Sequence, residues 1–269
     1  MSAEARFDRT AFDAALGTRR LGRSLIVRDE AGSTNDVAWD ALAEGRPDGT
    51  TVIAESQDAG RGRAGRRWVM APGRGLALSV GVHLGCDRRQ AGLLPLTAGL
   101  ALAEALERLG LAADLKWPND LLARGRKLSG ILAESRRLSP AGDTAVIGVG
   151  VNVLERAEDF PGELAATATS LALEGVATTR EAVAAAFLTA FETRWDELQE
   201  GSRTALLEAW SARSRSWGRA ITARTPAGEV RGIALRLDGD GALVLRDASG
   251  EEVTVMAGDV MLDGLGAGA

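Results

Sequence analysis

The chain has 269 residues, 45% of them hydrophobic and 26% charged, with a formal net charge of -5. This balance excludes a disordered or collagen-like chain and suffices for one large core or two unequal ones. A single Cys and a single His exclude an internal disulfide and a Cys/His zinc site, and no run reaches the ~20 apolar residues of a membrane span.

Phe7, Phe12 and Leu16 near helical spacing predict a short first helix, and Ser24 to Arg28 a strand. Met1 to Arg9 has no apolar core of a signal peptide, so a cytoplasmic protein with no membrane contact is expected. Ser33 precedes Asp36 in the capping-box pattern and opens a helix that Gly45 stops. Thr51 to Ala54 reads as a strand, 60–67 as a loop, Leu76 to Leu84 as an alternating strand, and Leu93 to Leu109 as a buried helix. Leu115 to Leu122, a turn at 124–126 and Lys127 to Ser135 predict a hairpin, followed by a strand from Ala145 to Val153. Val183, Phe187, Phe191, Trp195 and Leu198 mark an amphipathic helix, and Leu206 to Trp210 a second one. Short strands at 220–224, 229–237, 242–246 and 251–256 then give the pattern of a small β-barrel. The expected division is a larger α+β domain over 1–216, a barrel over 217–264, and a loose tail over 265–269.

With no Tyr and one His, chemistry must rest on Lys, Arg, Asp, Glu and backbone groups. Only two of the 32 basic residues are lysines, Lys116 and Lys127, and only Asn35, Asn119 and Asn152 are asparagines. A lysine kept in an arginine-rich chain points to a place that needs a compact ammonium. All five rare residues fall in or beside candidate segments. The loop Gly60-Arg61-Gly62-Arg63-Ala64-Gly65-Arg66-Arg67 combines close backbone approach with forked donors, which suits an anion, or else a solvated nucleic-acid contact. It is neither a P-loop nor a Rossmann fingerprint. Lys116-Trp117-Pro118-Asn119-Asp120 supplies a cation and a potential magnesium ligand, with Trp117 alone readable as core packing. On the hairpin, Lys116 and Lys127 are expected on the order of 20 Å apart at ~3.3 Å per residue, serving different parts of a ligand. His83 and Cys86 lack partners of their kind, and His83 reads as a structural or surface residue.

Taken in order, Gly32-Ser33-Thr34-Asn35, Glu55-Ser56-Gln57, Gly60 to Trp68, Lys116 to Asp120, Lys127-Leu128-Ser129-Gly130-Ile131-Leu132 and Gly148-Val149-Gly150-Val151-Asn152 resemble a biotin protein ligase. The resemblance runs from about Val27 to Val260. It implies an α+β catalytic domain like that of class II aminoacyl-tRNA synthetases, a mixed sheet with helices, followed by a C-terminal barrel of the Src-homology-3 (SH3) type. It also implies activation of biotin by ATP to biotinyl-AMP, then transfer to a lysine of a biotin carboxyl carrier domain. Ser33, Thr34, Asn35, Gln57, Gly60, Arg61, Gly62, Arg63, Lys127 and Gly130 would then hold biotin. Arg63, Arg66, Trp68, Lys116, Asn119, Asp120 and Asn152 would face ATP or the adenylate, and Asp120 would ligate Mg2+. Lys127, Arg63 and Asp120 would carry the catalysis. Asp58 stands where the family more often has an uncharged residue.

Some members begin with a DNA-binding winged helix. Only about 23 residues precede the first strand here, so no such module and no sequence-specific DNA partner are expected. A lipoate or octanoate ligase or transferase is the alternative enzyme, although it lacks the Lys-Trp-Pro-Asn-Asp segment. A nucleic-acid-binding module would explain the arginine loop alone, and the negative charge opposes it.

Overall fold

The computed structural model describes residues 6–85, 89–139 and 142–262. Cys86 and the tail over 265–269 therefore lie outside the described residues. Helix α1 (Arg9–Ala15) is capped by Asp8, whose carboxylate accepts the amides of Thr10 and Ala11 at 2.8 and 3.1 Å. Strands β1 (Leu25–Ala31) and β2 (Thr51–Gln57) run parallel and are joined by helix α2 (Thr34–Ala43). Ser33 stands at the N-cap of α2 as expected, but its hydroxyl makes no capping bond. Gly45, at φ 88°, ends that helix in a backbone region glycine adopts freely.

Strands β3 (Leu76–Gly85), β4 (Asp114–Lys116), β5 (Asp120–Ala123), β6 (Arg126–Ser139) and β7 (Gly142–Val151) complete a sheet of order β1-β2-β3-β7-β6-β5-β4. One expectation fails here: Leu115 to Leu122 is two strands, not one. The chain turns back at Trp117-Pro118-Asn119, so Lys116 lies opposite Asp120. Proline cannot donate to a ladder, and the strand breaks where it stands. The next turn is as predicted, with Arg124 and Gly125 both at positive φ in a two-residue hairpin.

The alternating pattern of β3 and β7 sorts side chains between the two faces. Leu78, Val80, Ile147 and Val149 enter the main core, covered by helices α3 (Arg89–Arg108) and α4 (Arg180–Gln199). On the other face Val52 and Val146 meet Ala38 and Trp39 of α2. That face carries small residues in paired positions: Ala77 opposite Gly150, Ser79 opposite Gly148 and Gly130 opposite Gly150. Covered by one helix and floored by glycine, alanine and serine, it leaves space for a ligand.

After helix α5 (Arg203–Ser211), strands β8 (Ala220–Thr225), β9 (Gly228–Leu237), β10 (Leu243–Arg246), β11 (Glu252–Val255) and β12 (Asp259–Leu262) form an antiparallel sheet of order β11-β10-β9-β8-β12. The sequence reading found four of these strands and missed β12. Ile221, Ala223 and Leu245 of this sheet belong to the same apolar cluster as the larger sheet. Trp117 lies at the seam, buried, and its indole donates to Gly241 O at 2.9 Å; the core-packing reading of this residue holds. His83 is exposed on β3. No described helix is long and apolar enough to cross a membrane.

Candidate active site

A cavity of about 280 Å³ opens on the small-residue face, between α2, the 60–68 loop and the strands β6 and β7. Ser33, Thr34, Asn35 and Gln57 line one end. Gln57 Oε1 accepts the Thr34 amide at 2.8 Å, and Ser79 Oγ lies 2.7 Å from Thr34 Oγ1 and 2.6 Å from Asn35 Oδ1. The Asn35 amide donates to Glu134 Oε2 at 2.8 Å. Asn35 presses so closely on the floor that a Cβ at Gly148 would collide with its Oδ1. These groups satisfy one another, giving a rigid polar surface at low cost in exposed donors.

The arginine loop is a loop as expected, closed on itself as a small hairpin. Arg61 and Arg67 bridge, Gly62 N–H donates to Arg66 O at 2.7 Å and Trp68 N–H to Gly60 O at 2.9 Å. A Cβ at Gly60 would stand 2.5 Å from Trp68 O, so glycine is required there. The turn passes through Ala64 and Gly65, both at positive φ. Gly60 lines an adjoining groove, whereas Arg61, Gly62, Arg63, Arg66 and Trp68 line the cavity itself. Arg61 pairs with Asp36 at 2.5 Å and Glu134 at 3.3 Å, which raises its pKa, the Asp36 bond foremost. Arg66 reaches across to Asp259 of β12 at 2.6 Å. Arg63 differs: its Nη1 is buried with no hydrogen-bond partner among the described residues, and burial lowers its pKa. Trp68 Nε1 is equally unpartnered, and the indole lies where a Cβ at Gly150 would be.

The far end joins the two rare lysines. Lys127 Nζ stands 2.8 Å from Asp120 Oδ1 and Lys116 Nζ 4.0 Å from Asp120 Oδ2. The expectation that the lysines serve separate places is wrong. The turn at Pro118 folds β4 back on β5 and brings both ammonium groups to one carboxylate. Burial lowers the Lys116 pKa against the opposing pull of Asp120. Lys127 lines the cavity with Gly130, Asn119 and Asn152, while Lys116 and Asp120 stand behind it. Both asparagines are tied to backbone: Asn119 donates to Ile131 O at 2.7 Å and Asn152 to Thr169 O at 2.8 Å.

The model of the Biotin/lipoate A/B protein ligase family matches residues 29–152, and that of the Biotin protein ligase C terminal domain matches 217–263. A biotin--[acetyl-CoA-carboxylase] ligase of Mycobacterium tuberculosis is 39% identical over 262 residues, covering 94% of each chain. The bifunctional ligase/repressor BirA of Bacillus subtilis is 34% identical over 87% of this chain and 73% of its own. A biotin protein ligase from Aquifex aeolicus, solved with biotin and ATP, superposes with a TM-score of 0.76 at 27% identity, over 89% of this chain and 98% of that one. This chain belongs to the biotin protein ligase family.

Sequence reasoning about this biotin protein ligase missed three features of the cavity. Ser79 could have been found, because it is the polar member of the small-residue side of Leu76 to Leu84. Glu134 carried no local signal. The third is the stretch after β7, which contains two short 3-10 turns (Ala157–Asp159 and Gly162–Ala166); Leu164 within them and Phe160, Thr167 and Ala168 just beyond them form a wall. This wall clamps Lys127, whose N–H donates to Thr167 O at 2.7 Å and whose carbonyl accepts Thr169 N–H at 2.9 Å. As for a metal, Asp120 Oδ1 is buried against Lys127 Nζ at 2.8 Å, and the described residues hold no cluster of three or more potential ligands. A single carboxylate without a cage, its Oδ2 4.0 Å from the Lys116 ammonium, fits magnesium, which takes few protein ligands when phosphates complete its shell.

Proposed function

We propose that the residues of this cavity carry out the two steps of biotin protein ligation, with biotin at the α2 end and the nucleotide at the lysine end. In the first step a biotin carboxylate oxygen attacks the α-phosphorus of ATP, the bond to the β-phosphate oxygen breaks, and pyrophosphate leaves. In the second, a lysine amine of a biotin carboxyl carrier domain attacks the acyl carbon, an amide forms, and AMP departs as the amine loses its proton. Both substrates of the first step are anions, so the protein's task is to bring them together and stabilise spreading charge.

The observation that carries this reading is the meeting of Lys127, Lys116 and Asp120 at a cavity into which Arg63 and Trp68 bring unpartnered donors. Lys127 is assigned to the reacting carboxylate and α-phosphate. Arg63, Arg66 and Trp68 are assigned to the adenylate, with Gly60, Arg61 and Gly62 closing over biotin. Asn119 and Asn152 hold the floor beside the phosphates, and Gly130 keeps it flat. Lys116 stands behind Asp120, which would hold Mg2+; the ion would supply charge neutralisation for the triphosphate.

The proposed division is a catalytic part over 1–216, built like class II synthetases, and an SH3-like unit over 217–264. The five antiparallel strands after residue 219 support the second assignment. A single Cys suits a reducing compartment, which favours the cytoplasm. Incubation with biotin, labelled ATP and magnesium should release pyrophosphate and yield biotinyl-AMP, which a carrier domain then consumes. Equal turnover of lipoate, or no adenylate at all, would refute the assignment.

A further inference from the structure

Glu134 on β6 belongs to none of the motifs singled out in the sequence, yet two parts of the cavity meet on one of its oxygens. Asn35 Nδ2 donates to Glu134 Oε2 at 2.8 Å, and Arg61 Nη2 donates to the same atom at 3.3 Å. Asn35 belongs to the first turn of α2, and Arg61 to the first bridged pair of the loop hairpin. The other arm of the Arg61 fork lies on Asp36, the residue after Asn35. One guanidinium therefore ties the loop to both the helix and the sheet.

An ionised carboxylate can only accept, so it decides which edge of the Asn35 amide turns toward it. With the NH2 group on Glu134, the amide oxygen faces the hydroxyl of Ser79 at 2.6 Å. Asn35 packs directly on Gly148, in the space a Cβ there would fill. The hairpin that Arg61 anchors in turn places Arg63 and Trp68, whose buried nitrogens lack partners.

We propose that Glu134 is a positioning residue that orients the Asn35 amide and, through Arg61, holds the arginine loop closed, so that the polar pocket and the loop order as one unit. Filling the pocket then fixes the loop at less entropic cost than ordering each separately. The inference rests on the reading of the α2 end as the biotin pocket, but its loop arm can be tested without any ligand.

Three variants separate the two arms: Glu134→Leu removes both contacts, Glu134→Gln keeps an acceptor for Asn35 while removing the charge, and Asp36→Asn weakens only Arg61. Amide hydrogen exchange at Gly62 and Trp68 is measured by NMR on the ligand-free protein, and biotin affinity by calorimetry. In Glu134→Leu, exchange at both amides should rise about tenfold and biotin should bind about tenfold more weakly, as expected for loss of a charge-assisted contact. Glu134→Gln should recover most of the biotin affinity with loop exchange still raised, and Asp36→Asn should raise exchange while costing less affinity than Glu134→Leu. Wild-type exchange in both Glu134 variants would overturn the proposal, as would equal loss of affinity in Leu and Gln. If the wild-type protein binds no biotin, the function fails, and the exchange result alone then decides the role of Glu134.

Discussion

The two ends of the cavity are built on opposite principles. At the α2 end the polar groups of Thr34, Asn35, Gln57, Ser79 and Glu134 bond one another. At the other end Arg63 Nη1 and Trp68 Nε1 are buried without hydrogen-bond partners among the described residues, beside two lysines that share the carboxylate of Asp120. A buried unsatisfied donor costs roughly 1–3 kcal/mol, so a ligand that accepts from Arg63 and Trp68 relieves that cost on binding. The difference teaches that one end offers a finished polar surface and the other an unfinished one, as the proposed placement of biotin and nucleotide requires.

If this contrast holds, removing charge from the unfinished end should do the greatest damage. Lys127→Ala is expected to slow biotinyl-AMP formation by about a thousandfold or more, the scale of electrostatic stabilisation in a water-excluded site. Lys127→Arg should also be impaired, since a planar fork does not replace a point charge. Pyrophosphate release in a single turnover checks both, and wild-type rates in Lys127→Ala would break the comparison.

Glu155 sharpens the contrast, because its buried Oε1 is also unpartnered but does not face the cavity. Burial pushes its pKa up to about 7. The folded state then holds a proton that the unfolded state has released, so stability falls as pH rises from about 4.5 to about 7. The loss is roughly 3 kcal/mol. Glu155→Gln should flatten this slope in urea titrations between pH 5 and 8. An unchanged slope would show that Glu155 is not the group responsible.

Arg63→Ala should leave the polar end intact and speed release of biotinyl-AMP by roughly ten- to a hundredfold, in line with loss of a charge-assisted bond. Freed adenylate would then label lysines of bystander proteins. Chasing bound labelled adenylate measures the rate directly, and retention like that of wild type would remove Arg63 from the site.

The smallest effects should come from the floor, and they should divide by position. Gly148→Ala displaces Asn35 and is expected to raise KM for biotin several-fold, whereas Gly150→Ala displaces Trp68 and should raise KM for ATP instead. If both variants raise the same KM, the two ends are not separate.

The local elements were legible because their signals are local. The alternation of Leu76 to Leu84, the four-and-three spacing from Val183 to Leu198 and the Arg124-Gly125 turn each act within a few residues. Rarity also pointed to Lys116, Lys127 and the three asparagines, all of which lie in or immediately behind the cavity. What sequence reading could not supply was contact between distant elements. It set the lysines on the order of 20 Å apart along the ladder of one hairpin, whereas the chain folds back at Pro118 and brings both to Asp120. Strand β12 was missed as four residues with no turn signal of their own, yet Asp259 within it holds Arg66 of the arginine loop. Glu134 is the clearest case, since nothing around it in the chain marks it, and only the pairing of β6 with β7 and the packing of α2 bring Asn35 and Arg61 to its oxygen. The sequence by itself determined which residues could form a strand, a helix or an anion-binding loop, because those choices depend on near neighbours. Tertiary structure alone decided which charges meet and which donors stay unpartnered, because hydrogen bonds and ion pairs act over a few ångströms in space whatever their separation along the chain.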